Sequence, residues 1–314
     1  MFSFDSGANT SFFSVRYSRE FASQLRGVLK RTDTAMHQAR QSGRNTLYFF
    51  DPTMQGALEE RMALESDLRG ALQQQQFKLY YQMQVDHTGR VLGAEVLPRW
   101  MHPSQGLVAP MKYIPLAEEI GLILPIGQWV LETACKQIKS WEADPHTREL
   151  QLAVNVSAGQ FHQPDFVKQV GEALNQTAII PSLLKLELTE SMVLDDIDDT
   201  IAKMHALKQM GVRFSMDDFG TGYSSLAYLT QLPLDQLKID KSFVRNIVTK
   251  STDAVIVQTI VGMASNLGME VIAEGVETLA QRDFLEKIGC MAYQGYLFSK
   301  PVPLEEFEGK LKKP

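Results

Sequence analysis

Residues 77–100 read FKLYYQMQVDHTGRVLGAEVLPRW, and their reading decides the fold. FKLYYQMQVD (77–86) and VLGAEVLPRW (91–100) each have the make-up of a strand, and the turn DHTG (86–89) between them is of hairpin length. Parallel neighbours need a crossover of a dozen or more residues, so the first strand is expected to run antiparallel to the second. Glu95 is the awkward residue: a single acid inside a run otherwise suited to burial. An ionised carboxylate taken out of water costs several kcal/mol unless a partner or a metal meets it, so Glu95 is either paired or a ligand.

Downstream, LQLAVNVS, LKLELTE, VRFSMDDF, QLKID, MEVIAE and CMAYQGYLF read as six further strands. Helical patterns such as IGQWVLETACKQIKSWEA, DTIAKMHALKQMG and DAVIVQTIVGMASNLG lie between most of them. Eight strands over about 240 residues predict an α/β fold, a closed (β/α)8 barrel modified by its antiparallel first strand.

The 314 residues, 44% hydrophobic and 22% charged, suffice for one large domain and a smaller piece. A net charge of -6 argues against a DNA or RNA polymer as partner, because binding that backbone calls for a basic face. Two distant cysteines, Cys135 and Cys290, suggest neither a disulfide framework nor a zinc site, and a reducing compartment fits. No signal pattern or membrane-length apolar run is evident, so a cytoplasmic location is expected, although a longer parent protein could be membrane-anchored.

Residues 1–24 carry no clear period and receive no assignment. From Leu25 a helical pattern runs to Gly43 and Asn45, and TLYFFD then reads as a strand, so 25–51 is a helix–strand fragment too small to hold a core. Pro52 breaks the pattern. Across 52–76, Leu58, Met62, Leu64, Leu68 and Leu72 recur at helical spacing, which predicts a linker helix that serves as a dimer seam or lies on its own domain.

Glu95 lies in the second barrel strand, Asn155 ends the third, Glu187 and Glu190 the fourth, Asp217 and Asp218 the fifth, Lys238 and Asp240 the sixth and Glu274 the seventh, while Gln294 lies in the eighth. Strand C-termini form the catalytic rim of such a barrel, so these side chains are expected to converge. Carboxylate and amide oxygens without nearby histidine point to Mg²⁺ or Mn²⁺, since crowded like charges require cations. FSMDDFGTGYSSL could pass for a phosphate-cradling glycine loop, but its two aspartates would repel phosphate unless metals intervene. The preferred reading is a metal-bearing pair followed by a loop through Phe219, Gly220, Thr221 and Gly222. Arg99, on the same face as Glu95, is placed to fork onto a phosphate. The six histidines form no metal spacing and are expected at the surface or in loops.

GAEVLPRW, NVSAGQF, LELTES, MDDFGTGYSSL, LKIDKSFV, VIAEGVET and YQGYLFSKP together resemble the EAL-domain family of bacterial cyclic di-GMP phosphodiesterases over roughly residues 60–314. TDTAMHQARQSGRNTLYFFDP resembles the last helix and strand of a GGDEF (diguanylate cyclase) domain without its signature loop, which implies upstream GGDEF or sensory domains in a parent chain. The resemblance implies a modified TIM barrel over 77–314, hydrolysis of cyclic di-GMP to linear pGpG, and pairing of barrels into a homodimer. It also implies two metal ions on Glu95, Asn155, Glu187, Asp217 and Asp218, with Glu274 holding the metal or its water. Lys238 then orients the attacking water, Glu190 steadies the loop after the fifth strand, and Gln82, Arg99, Glu277 and Gln294 lie with the substrate.

The sequence departs from the common family pattern at Val96, Met83 and Pro98, none of which removes an oxygen ligand. A degenerate, non-hydrolytic cyclic di-GMP receptor is the alternative, but receptor forms lose metal ligands or loop glycines and every one is present. An enolase-like metal-dependent barrel shares acids plus lysine on a rim; the hairpin start and the MDDFGTGYSSL loop argue against it.

Overall fold

A computed structural model of the protein describes residues 2–4, 11–13, 28, 32, 36, 52–220 and 226–311. They fall into two compact units, Met1–Leu68 and Arg69–Pro314. In the first unit, Phe2–Phe4 pairs antiparallel with Ser11–Phe13, a short hairpin in a stretch where the sequence shows no period. Val28, Thr32 and Met36 are helical, and the Thr32 hydroxyl donates to the Val28 carbonyl at 3.0 Å. The remainder of the GGDEF-like fragment, including the expected strand TLYFFD, lies outside the described residues.

A helix, Pro52–Ala71, crosses the boundary between the units and starts at its proline, where the missing N–H has no helical partner to lose. Its buried stripe is Leu64, Leu68 and Ala71; Met62, grouped with that stripe by spacing, is 62% exposed.

The second unit is the barrel. Its strands are β1 (Phe77–Asp86), β2 (Val91–His102), β3 (Gln151–Asn155), β4 (Leu184–Thr189), β5 (Arg213–Phe219), β6 (Gln236–Ile239), β7 (Glu270–Ala273) and β8 (Ala292–Gln294). They close in the order β1-β8-β7-β6-β5-β4-β3-β2, with β2 pairing back onto β1. β1 runs antiparallel to both β2 and β8, and the remaining pairs are parallel. The hairpin-length turn forces this reversal, and it puts Gln82 directly opposite Glu95.

Strand alternation sorts the side chains. Leu184, Leu186 and Leu188 of β4 face the helical layer while Lys185 and Glu187 point inward; on β6, Leu237 and Ile239 alternate with Gln236 and Lys238 in the same way. The apolar core therefore lies between the barrel and its helices. Tyr81 of β1 packs against Trp141 and Phe307, with ring centroids 6.1 and 5.7 Å away, and Trp100 meets Tyr113 edge-on at 5.9 Å. Inside the barrel, Gln84, Lys185, Ser215 and Gln236 are all buried, where such interiors are ordinarily filled by branched aliphatics.

Gly93 of β2 lies against Gln151 of β3, and a Cβ there would come 2.1 Å from the Gln151 carbonyl oxygen. Backbone on both sides leaves no flexible atom to yield. Gly93→Ala is expected to cost about 3 kcal/mol, read as a lowered urea midpoint; an unchanged midpoint would show that β3 shifts freely.

His102 is a correction: it is buried at 6% exposure, its Nδ1 accepts the Ser104 and Gln105 backbone N–H groups at 3.2 Å, and its ring meets Trp100 edge-on. It closes the turn after β2. Both cysteines are free and buried, and burial pushes each thiol up to about 12. Among the described residues no single helix is long and apolar enough to cross a membrane.

Candidate active site

The site is built around Lys238. Its β6 side chain is fully buried, and the ammonium lies 2.6 Å from Glu187 Oε2, 2.6 Å from Glu274 Oε1, 3.3 Å from Asp217 Oδ2 and 3.6 Å from Glu95 Oε2. Four strands or strand ends thus send a carboxylate to one point, as the sequence places them. Glu95 is the best supported of the four: Asn155 Nδ2 donates to its Oε1 and Gln294 Nε2 to its Oε2, both at 2.5 Å. Gln294 also donates to Gln82 Oε1 at 3.2 Å, which ties β1, β2 and β8 into one network.

Four acids share a single ammonium, and the titration behaviour follows from that imbalance. Burial pushes Glu187 up to about 7 and Glu274 up to about 8, with Lys238 opposing and the neighbouring acids adding to the rise. Glu95 goes the other way: against its burial, the Lys238 charge and the Gln294 and Asn155 hydrogen bonds hold its carboxyl below the usual range. Against the same burial, Glu187 and Glu274 foremost hold the Lys238 ammonium well above its ordinary value. Glu187 Oε1 is buried with no hydrogen-bond partner.

β5 is irregular at the decisive place. Met216 pairs with Leu237 and Phe219 with Ile239, so one residue too many lies between those rungs. Asp218 takes a left-handed φ of 54°, a conformation few side-chain-bearing residues adopt. This bulge separates two sequence neighbours: Asp217 reaches Lys238, whereas Asp218 interacts with Asp240, the residue that caps the helix Lys241–Asn246. Partial desolvation and then the Asp217 and Asp240 charges push Asp218 up to about 6.

Glu190, the first residue of the helix Glu190–Asp195, accepts the Gly220 N–H at 3.1 Å through Oε2. Gly220 has φ +94° and sits between Phe243 and Ile260, so this anchor is backbone-specific. Thr221 and Gly222 of the same loop lie outside the described residues. Arg99 is half-buried further out on β2, with its guanidinium 5.7 Å from the Tyr80 ring centroid. Glu277 is exposed; its backbone N–H donates to Gln281 Oε1 at 2.8 Å, and it takes no part in the cluster.

Among the described residues no three His, Cys, Asp or Glu side chains are arranged to hold a metal ion as they stand. The point where the carboxylates meet is taken by the Lys238 ammonium. Residue-by-residue reading of the rim missed the inner layer of Gln84, Lys185 and Gln236. Each sits two residues from a site position on the same strand (Gln82, Glu187, Lys238), so alternation carried the signal.

Residues 65–301 match the family model described as EAL domain. The chain is 44% identical over 275 residues to the bifunctional diguanylate cyclase/cyclic di-GMP phosphodiesterase MucR of Pseudomonas aeruginosa, covering 87% of this chain and 40% of that protein. It is 42% identical over 290 residues to the cyclic di-GMP phosphodiesterase NbdA of the same organism, covering 92% and 37%. The chain thus spans about two fifths of the length of these curated relatives. Among solved structures, the MucR phosphodiesterase in complex with c-di-GMP is similar with a TM-score of 0.76 and 45% identity, covering 78% of this chain and 99% of that one. The closed barrel agrees with these matches, and the chain belongs to the EAL domain family.

Proposed function

We propose that this chain hydrolyses one phosphodiester bond of cyclic di-GMP to linear pGpG, by attack of water on phosphorus. The observation that carries the reading is the Lys238 ammonium ringed by Glu95, Glu187, Asp217 and Glu274 on a barrel rim. Relatives at 42% and 44% identity that bear this activity in their names support it.

The donor set suits two hard divalent cations, Mg²⁺ or Mn²⁺. It consists of carboxylate and amide oxygens, its four acids share one ammonium, and Glu187 Oε1 is buried without a partner. Glu95, Asn155, Glu187, Asp217 and Asp218 would hold the ions, with Glu274 beside them. When bound, such ions polarise a phosphoryl oxygen and lower the pKa of water.

The chain's own groups supply the remainder. Lys238 stays charged, so its Nζ donates to and orients the water and offsets negative charge gathering on the phosphoryl oxygens. Asn155 and Gln294 fix the orientation of Glu95 through both of its oxygens. Glu190 pins the loop after β5 at Gly220. Gln82 and Gln294 lie beside the cluster to meet the substrate, Arg99 offers its guanidinium to a phosphate further out, and Glu277 contacts the substrate from the exposed segment after β7.

The test is incubation with cyclic di-GMP and Mg²⁺ or Mn²⁺, then with excess chelator. pGpG is expected in the first sample and its formation stops in the second; binding without cleavage would instead make the chain a receptor. A homodimer, upstream GGDEF or sensory domains and a cytoplasmic setting belong to the same reading, the last supported by two buried free thiols. Leu64 and Leu68 of the linker helix are buried within one chain, whereas Met62 is 62% exposed and would be the part of that helix free to join a seam. Light scattering is expected to give twice the 35.3 kDa chain mass, and a monomeric value unchanged by ligand would remove the dimer.

A further inference from the structure

A cavity of about 740 Å³ opens at the N-terminal end of the barrel, opposite the carboxylate rim, among the first residues of β2 to β8 and the far end of β1. Small-molecule sites span roughly 300–1,000 Å³. One wall is apolar, from Val261, Met269 and Val271. The inner end is polar and deeply buried: Gln84, Lys185 and Gln236 line it at 2%, 3% and 4% exposure.

Lys185 is the unusual group. Its ammonium donates to Gln236 Oε1 at 2.8 Å and to Gln84 Oε1 at 3.4 Å, and among the described residues no acid forms an ion pair with it. The other cations at the cavity are already matched, Arg213 to Glu270 at 2.9 Å and Arg90 to Asp86 at 3.2 Å. An ammonium hydrogen-bonded only to amides, with the Glu187 and Glu270 charges reaching it but forming no ion pair, has a desolvation cost that outweighs those charges and that a counter-ion in contact offsets. One buried positive charge with no acid in contact, above an apolar wall, calls for one negative charge on an apolar body.

We propose that this cavity is a second ligand site, taking a small organic anion whose carboxylate or phosphate group meets Lys185, and that its occupancy is felt at the carboxylate cluster. The route is a chain of amides. Gln84 accepts from Lys185 and donates through Nε2 to Gln294 Oε1 at 2.9 Å, and Gln294 Nε2 donates to Glu95 Oε2 at 2.5 Å. An anion that draws the ammonium from Gln84 changes what Gln84 offers to Gln294, and so how Glu95 is held.

Binding is measured first in excess chelator, by ligand-observed NMR with benzoate and with phenyl phosphate, so that no metal at the opposite rim contributes. Affinity on the order of 1 mM is expected for fragments of this size, weakened at least tenfold by Lys185→Met. Met291→Asp, a charge placed on a lining residue that is 44% exposed and so does not disturb the core, is expected to weaken binding as well. Preference for one compound identifies the natural ligand's head group as carboxylate or phosphate. No binding of either, or binding indifferent to both variants, overturns the site. The second half rests on the phosphodiesterase reading: saturating benzoate is expected to change the rate of pGpG formation at least threefold in the native protein and not in Lys185→Met. A bound protein with an unchanged rate overturns the coupling, whereas a protein that binds the anion but forms no pGpG under any condition fails the phosphodiesterase reading alone.

Discussion

Lys238→Met is expected to lower cyclic di-GMP hydrolysis about 10³-fold or more and, in excess chelator, to destabilise the fold by about 3–5 kcal/mol. Both effects come from one subtraction. The ammonium is fully buried and is the shared counter-charge of Glu95, Glu187, Asp217 and Glu274, so removing it leaves four acids facing one another. Glu187 and Glu274, already pushed up to about 7 and about 8, then take up protons more readily still, because the charge that held them down is gone. Divalent ions are expected to restore stability to the variant more than to the native protein, since added positive charge does part of what the ammonium did. Restored stability without restored turnover separates the counter-charge of Lys238 from its part in orienting water. The measurements are single-turnover pGpG formation and urea unfolding with and without Mg²⁺. A variant within tenfold of native turnover would confine Lys238 to a structural part.

Glu95→Ala and Val96→Ala are adjacent substitutions with opposite expected outcomes. Glu95→Ala removes one cluster carboxylate and leaves Asn155 Nδ2 and Gln294 Nε2 without the acceptor each meets at 2.5 Å, so turnover is expected to fall about 10³-fold. Val96 faces the other way, is fully buried, and pairs with Val154 of β3 and Tyr81 of β1. Its truncation is expected to cost about 2 kcal/mol of stability while kcat/KM stays within about twofold. Steady-state kinetics and urea midpoints on both variants check the contrast. Equal losses of turnover would mean that the strand is positioned by its outer packing as much as by Glu95.

The barrel was legible because its strongest signals are local. A short turn dictates the reversed β1, and alternation on β4 and β6 separates the leucines from Glu187 and Lys238. The convergence of Asn155, Glu187, Asp217, Lys238 and Glu274 follows because each stands at or near a strand's C-terminal end, and Glu95, inside the longer β2, joins them through its register beside Ala153 of β3. Three features escaped for physical reasons. Asp217 and Asp218 look equivalent in sequence, but a bulge decided by the β5–β6 register turns them apart. His102 reads as a loop histidine until the turn closes over its Nδ1. Lys185 and Gln236 are not singled out in the sequence: alternation puts them on the inner face, but their burial depends on closure of the whole barrel.

The reversed first strand has a positional consequence. In an ordinary barrel of this class the chain enters from below and the catalytic end is the far end of every strand. Here Phe77 pairs with Trp100, so the polypeptide enters at the level of the rim and descends, meeting Gln82 opposite Glu95 after five residues. The covalent tether before Phe77 therefore joins the barrel on the same side as the carboxylate cluster, five residues of strand from Gln82 and Glu95, rather than at the opposite end.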